Sequence, residues 1–218
     1  MSGDNHNQST EIRAVIFDYG EVLCHRPSQA EIGRLASFFG VDVGRFPALW
    51  ERNRGRYDRG DLTPEAYWSI FAEDTGTQIS PGELAEIHSL DMAMWSHVNS
   101  HMVDWARQLG CSGVKLGLLS NMHPHMVMHA RKHFAWIQSF DCVTFSGEVR
   151  LIKPDPAIYE HTLRGLGVKA SEALFLDDRE INVQAARALG IKAIHFQSMA
   201  QLRSDLKAAG FSILPANS

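Results

Sequence analysis

Asp18, Ser120, Lys153, Asp177 and Asp178 are the side chains of this sequence best placed to do chemistry together. Asp18 follows the apolar run AVIF, Ser120 follows KLGLL, the Asp177-Asp178 pair follows ALFL, and Lys153 stands at the opening of a helix-like stretch. Carboxylates serve as nucleophiles, as proton carriers and as ligands of hard cations. A hydroxyl and an ammonium beside them stabilise negative charge. Singly, each position has an ordinary structural explanation, since Asp and Ser cap helices at strand-to-helix turns and Lys-Pro-Asp is a common helix start. Their shared placement says more. In a parallel sheet all strands end on one edge, so residues far apart in sequence converge there.

The elements that must do this positioning are short. Apolar runs at 14–17, 115–119, 142–145, 173–176 and 192–196 predict buried strands, and helical patterns at 99–109, 124–135, 156–166, 180–189 and 199–209 lie between or after them. Such alternation predicts an open α/β fold with a parallel sheet and helices on both faces. Residues 26–98 break the rhythm, with four helical patterns (31–39, 45–54, 64–74 and 81–94) and no strand. They predict a helical cap inserted after the first strand, over a core formed by 11–25 and 99–218. Residues 1–10 are polar and are predicted to form a flexible tail.

Composition narrows the classes. The chain has 218 residues, 44% hydrophobic and 21% charged, with a formal charge of −4. That is the balance of a globular protein, and it offers no general attraction to nucleic acid or to an anionic membrane. No run reaches the roughly 18 apolar residues of a membrane span, and the N-terminus lacks a basic-then-apolar signal, so a cytoplasmic location is expected. Cys24, Cys111 and Cys142 are scattered, which indicates buried thiols rather than a disulfide framework or a zinc site.

The segments VIFDYGEVL, LGLLSN, IKPDPAIY and LFLDDREINVQAARALG resemble, in order and approximate spacing, the four motifs of the haloacid dehalogenase-like (HAD) hydrolase superfamily. The resemblance covers the core on both sides of residues 26–98, and those residues stand where subfamily I carries its helical C1 cap. It implies a Rossmannoid parallel-sheet core and phosphatase chemistry, with Asp18 as the nucleophile that forms an aspartyl-phosphate. It further implies Mg2+ held by the Asp18 side chain, the Gly20 main-chain carbonyl and Asp178, with Asp177 close by, directly or through water. A donor set of oxygens alone suits that ion. Ser120 and Asn121 match the motif that holds phosphoryl oxygens, and Lys153 the one that neutralises charge on the nucleophile and the transferring group. The implied partner is a small phosphorylated substrate; the oligomeric state is left open.

Departures from the motifs matter as much. Most phosphatases of the superfamily carry a second Asp two residues after the nucleophile, as acid and then base, and here that residue is Gly20. A phosphatase subgroup with a DxGxV pattern matches Asp18 to Val22 better than a broken site does. Either Glu21 supplies the missing acid or its side chain points to solvent or to the cap hinge. A catalytically weak or silent module that binds a phosphorylated ligand or a protein is the alternative. A 2-haloacid dehalogenase is disfavoured, because its Tyr stands two residues after the nucleophile and Tyr19 only one. In the basic cap stretch 50–60, a continuous helix puts Trp50, Arg54 and Tyr57 on one face, where Arg54 and Tyr57 either meet the substrate's far end or belong to the cap's own packing. Asn182 is either a participant or an ordinary first-turn helix residue. His125, His129 and His133, spaced by four, predict a surface helix with adventitious affinity for divalent metals.

Overall fold

The computed structural model describes residues 11–211; the tail expected at 1–10 lies outside them. Five strands, β1 (Ala14–Phe17), β2 (Lys115–Ser120), β3 (Cys142–Phe145), β4 (Ala173–Asp177) and β5 (Lys192–His195), form one parallel sheet in the order β3-β2-β1-β4-β5. β1 is central, with 14–17 in register with 115–118 on one side and with 173–176 on the other. All four of its residues are buried, as expected of a strand covered on both faces. Alternation sorts them: Val15 and Phe17 join a core with Trp105, Leu118 and Phe140, while Ala14 and Ile16 pack with Tyr159, Leu166 and Phe175 on the other face.

Between Cys24 and Val98, after β1, lie five helices, α1 (Gln29–Ser37), α2 (Phe46–Glu51), α3 (Arg54–Asp58), α4 (Pro64–Thr75) and α5 (Pro81–Met94). Their starts are written locally. Ser28 with Glu31 and Ser80 with Glu83 form capping boxes, and Thr63 caps a helix that opens on Pro64. The insert buries its own core of Phe39, Phe46, Tyr67, Trp68, Phe71 and Ile87. One expectation is corrected here: the single helix predicted over 45–54 is two, broken at Arg52-Asn53. Asn53 leaves helical geometry (φ −116°, ψ 6°), and α3 restarts with Arg54 beside Asp58 and Asp91.

The chain leaves and re-enters the core at one place. Cys24 pairs with Val98 as an antiparallel bridge, His25 N–H donates to the His97 carbonyl at 2.7 Å, and Asn99 N–H donates to the Leu23 carbonyl at 2.9 Å. The core helices follow: α6 (Ser100–Cys111), α7 (Pro124–His133), α8 (Ser146–Val149), α9 (Pro156–Leu166), α10 (Glu180–Ala188) and α11 (Met199–Ala208). α6, α7 and α11 cover one face of the sheet, and α9 and α10 the other. Among the described residues no helix is long and apolar enough to cross a membrane.

Candidate active site

The ends of β1, β2 and β4 bring the carboxylates and the hydroxyl together. Asp18 directly follows β1, Ser120 ends β2, and Asp177 ends β4 with Asp178 next to it. Lys153 differs from expectation. It does not open a helix but sits in the turn before α9, whose first residue is Pro156 and whose N-cap is Asp155; the Lys153–Pro154 peptide is cis. This turn is held by Asn121, whose Oδ1 accepts from Lys153 N–H at 2.8 Å and whose Nδ2 donates to the Lys153 carbonyl at 3.0 Å. That clamp was invisible in the sequence, where residues 121 and 153 share no local pattern.

Lys153 is the centre of the arrangement. Its Nζ lies 2.7 Å from Asp18 Oδ1, 2.7 Å from Asp177 Oδ2 and 3.0 Å from the Leu119 carbonyl, so three acceptors meet its three N–H donors. Asp177 is fully buried and committed to this task, its Oδ1 accepting from Arg179 N–H (2.8 Å) and Asn182 Nδ2 (2.9 Å). Asn182 therefore acts on the centre through Asp177, while also lining the cavity. Asp18 Oδ1 also accepts from Tyr19 N–H at 2.7 Å, which leaves Oδ2 for a ligand.

Charge is concentrated here. Burial holds the Asp18 carboxyl well above the usual carboxylate range; Lys153 opposes this, and Asp177 and Asp178 add to it. Burial, Asp177 and Glu21 push Asp178 up to about 6. Burial works against the Lys153 ammonium, but Asp177 and Asp18 outweigh it and keep the proton on. Oxygens of Asp18, Asp177 and Asp178 lie within 4.8 Å of one another. An all-oxygen donor set with more negative charge than one ammonium can balance fits a hard divalent cation.

These groups open into a cavity of about 140 Å³, lined by Asp18, Ser120, Asn121, Lys153 and Asp178 from the core and by Glu51, Arg54, Asp58 and Trp95 from the insert and its connector. Arg54 borders it, but its guanidinium is already paired with Asp58 (3.0 Å) and Asp91 (3.4 Å) and lies over the Trp50 and Tyr57 rings at 5.2 and 5.4 Å. Tyr57 does not line the cavity. It is fully buried and stacked between Tyr67 and His123, at 4.4 and 4.1 Å, so its aromaticity serves packing. Asp58 was missed in the sequence, where it was one acid in an arginine-rich stretch.

The remaining candidates have partners of their own, although Tyr19 and Glu21 also border the cavity. The Tyr19 ring stacks on Phe134 and Trp136 and its hydroxyl donates to the Trp95 carbonyl. Glu21 adopts a left-handed backbone (φ 56°) and its carboxylate meets Arg26 Nε at 3.1 Å. The His129 and His133 rings lie 4.4 Å apart at a tilt of 37° and His125 meets His88, and among the described residues the only group arranged to hold a metal is the aspartate trio.

Residues 12–190 match the model of the haloacid dehalogenase-like hydrolases, and the chain belongs to that family. It is 27% identical over 191 residues to the sesquiterpene phosphatase astK of Aspergillus oryzae, with 85% of this chain and 90% of that protein covered. Two other curated relatives are longer proteins, of which the chain spans 18% and 36%. Among solved structures, a mutant of the HAD family enzyme bt-2542 from Bacteroides thetaiotaomicron, in complex with magnesium and inorganic phosphate, superposes with a TM-score of 0.69 at 20% identity, covering 85% of this chain and 94% of that one. The L-2-haloacid dehalogenase from Xanthobacter autotrophicus gives 0.63 at 21% identity over 92% and 84%.

Proposed function

We propose that this protein is a magnesium-dependent phosphatase that hydrolyses a small phosphorylated metabolite, such as a sugar phosphate, through an aspartyl-phosphate on Asp18. The observation that carries the reading is the Lys153 ammonium held 2.7 Å from both the Asp18 and the Asp177 carboxylates at the end of the sheet. Tyr19 N–H and Lys153 hold Asp18 Oδ1, so Oδ2 attacks phosphorus; the bond from phosphorus to the leaving oxygen breaks, and water later hydrolyses the acyl phosphate. Lys153 and the Ser120 hydroxyl stabilise charge on the transferring group, the main requirement in phosphoryl transfer. Asn121 contributes by clamping the Lys153 turn and through its main chain. Magnesium, when bound by Asp18, Asp178 and the Gly20 carbonyl with Asp177 close by, supplies positive charge that offsets carboxylates and phosphate alike.

The test is phosphate release, with and without magnesium, from sugar phosphates, nucleotides, phospho-acids and p-nitrophenyl phosphate, with Asp18→Asn as control. Metal-dependent turnover lost in the variant is the expected result. Gly20, standing where most phosphatases of the family carry an acid, favours a second reading, a weak or silent module that binds a phosphorylated ligand or a protein. Folded protein that binds magnesium yet releases no phosphate above the Asp18→Asn background would establish it.

A further inference from the structure

Resting on that phosphatase reading, we propose that Asp58, on the inserted helix α3, is the catalytic acid and base of the reaction, taking the part for which position 20 has no side chain. As Asp18 Oδ2 bonds to phosphorus and the leaving oxygen takes the electron pair of the breaking bond, that oxygen receives the Asp58 proton. The resulting Asp58 carboxylate then removes a proton from the water that attacks phosphorus, the bond to Asp18 breaks, and both aspartates return to their starting states.

Three observations lead there. First, position 20 has no side chain to serve as acid: Gly20 leaves that place beside the nucleophile empty, with Trp95 Cζ3 3.5 Å from where its Cβ would be, an ordinary packing distance. Second, the neighbouring candidate Glu21 also borders the cavity, but its Oε1 is paired with Arg26 Nε at 3.1 Å on an exposed side of the turn. Third, Asp58 lines the same cavity as Asp18, Lys153 and Asp178 although it is only 6% exposed. Its Oδ1 accepts from Arg54 Nε at 3.0 Å, and Oδ2 is the oxygen left for a ligand. Its main chain is tied to the core: the Asp58 carbonyl accepts from Ser146 Oγ at 2.7 Å, and the same Oγ accepts from Met122 N–H at 2.8 Å, two residues beyond Ser120. The carboxyl is thus fixed relative to the loop that carries Ser120.

The surroundings make Asp58 a proton carrier. Arg54, on its own helix, is one cation between two acids, Asp58 and Asp91 of α5, and Glu51 of α2 adds a third. Burial pushes Asp58 up to about 7; Arg54 opposes this, and Asp91 and Glu51 reinforce it. His123, the N-cap residue of α7 stacked on Tyr57 and 3.7 Å from Asp91, is buried and held well below the usual imidazole range, so it adds no charge near neutrality. Asp91 is fully buried and does not line the cavity, which leaves Asp58 as the member of the pair that reaches a substrate.

Leaving-group dependence tests the proposal. Rates of wild type, Asp58→Asn, Asp58→Glu and Glu21→Gln are compared on substituted phenyl phosphates from p-nitrophenyl to phenyl and on an alkyl phosphate. A p-nitrophenolate departs without help, whereas an alkoxide needs a proton. Asp58→Asn is expected to lose about 100-fold or more on the alkyl phosphate and less than about tenfold on p-nitrophenyl phosphate, with partial recovery in Asp58→Glu. The alkaline limb of the wild-type kcat/KM profile should disappear in Asp58→Asn and persist in Glu21→Gln. Because both substrates are read on one preparation, partial unfolding of a variant cancels. Equal losses on every leaving group with an unchanged pH profile, in a wild type that turns over, overturn the role of Asp58 alone. A wild type that releases phosphate from none of these compounds overturns the phosphatase reading and this proposal with it.

Discussion

Lys153 is the residue on which the charge balance of the site turns. Replacing it with Met removes the ammonium from between two buried carboxylates, and breaking a buried ion pair from one side typically costs about 3–5 kcal/mol. Lys153→Met is therefore expected to lose stability on that scale in urea unfolding, to release no phosphate, and to gain more melting temperature from added magnesium than wild type does. Equal magnesium gains in the two proteins would show that the aspartate trio does not hold the cation. Asp58 leaves a second signature. Its folded pKa of about 7 lies above the unfolded value of about 3.9, so the folded state holds the extra proton between them. Its contribution is present in acid and fades as pH rises from about 4 to about 7. His123, shifted downward, acts oppositely, since the unfolded chain takes that proton as pH falls. The urea midpoint of Asp58→Asn should thus gain on wild type across pH 4 to 7, and a constant offset would refute the shift. Asp18, Ser120, Lys153 and the Asp177-Asp178 pair were legible in the sequence because each ends or follows a strand or belongs to a motif. The clamp of Asn121 and the place of Asp58 were not, because both depend on partners 32 to 88 residues away.

At the scale of elements, Ser120 ends β2 and Ser146 opens α8 directly after β3, and the segments that follow approach closely enough to exclude a side chain. A Cβ at Gly147 would lie 2.7 Å from the Met122 carbonyl oxygen and 2.8 Å from Pro124 N, both backbone atoms. Gly147→Ala must displace the loop that carries Ser120 and Asn121, at an expected cost of about 1–3 kcal/mol. Urea unfolding measures the cost, and a fall in phosphate release beyond the unfolded fraction measures the displacement. The strands were readable from short apolar runs ending in polar turns, and α4 and α5 from helical patterns that open on Pro64 and Pro81. The break between α2 and α3 was not. Arg54 opens α3 paired with Asp58 and Asp91, which both lie outside 45–54, and the residues at 45–54 alone satisfy a continuous helix.

Over the whole molecule, the sheet has two covered faces and one working edge, and the insert rests across that edge. It does so by polar contacts on both sides: Arg150 with Asp61 at 2.8 Å, Arg179 with Glu51 at 3.4 Å, and Ser146 with the Asp58 carbonyl. The alternation of strands and helices made the sheet predictable, and a run of helices without strands made the insert predictable. How the one sits on the other was not, because these contacts join side chains with no common sequence pattern. The paired passage at Cys24 and Val98 carries a consequence of its own. Everything between these two residues hangs from a single doorway, so its replacement would leave every strand register of the sheet intact. On the proposed mechanism, the groups that break the phosphate ester and the carboxyl that supplies its proton thus lie on separately exchangeable pieces, and a descendant that trades its lid for another trades its proton source in the same event.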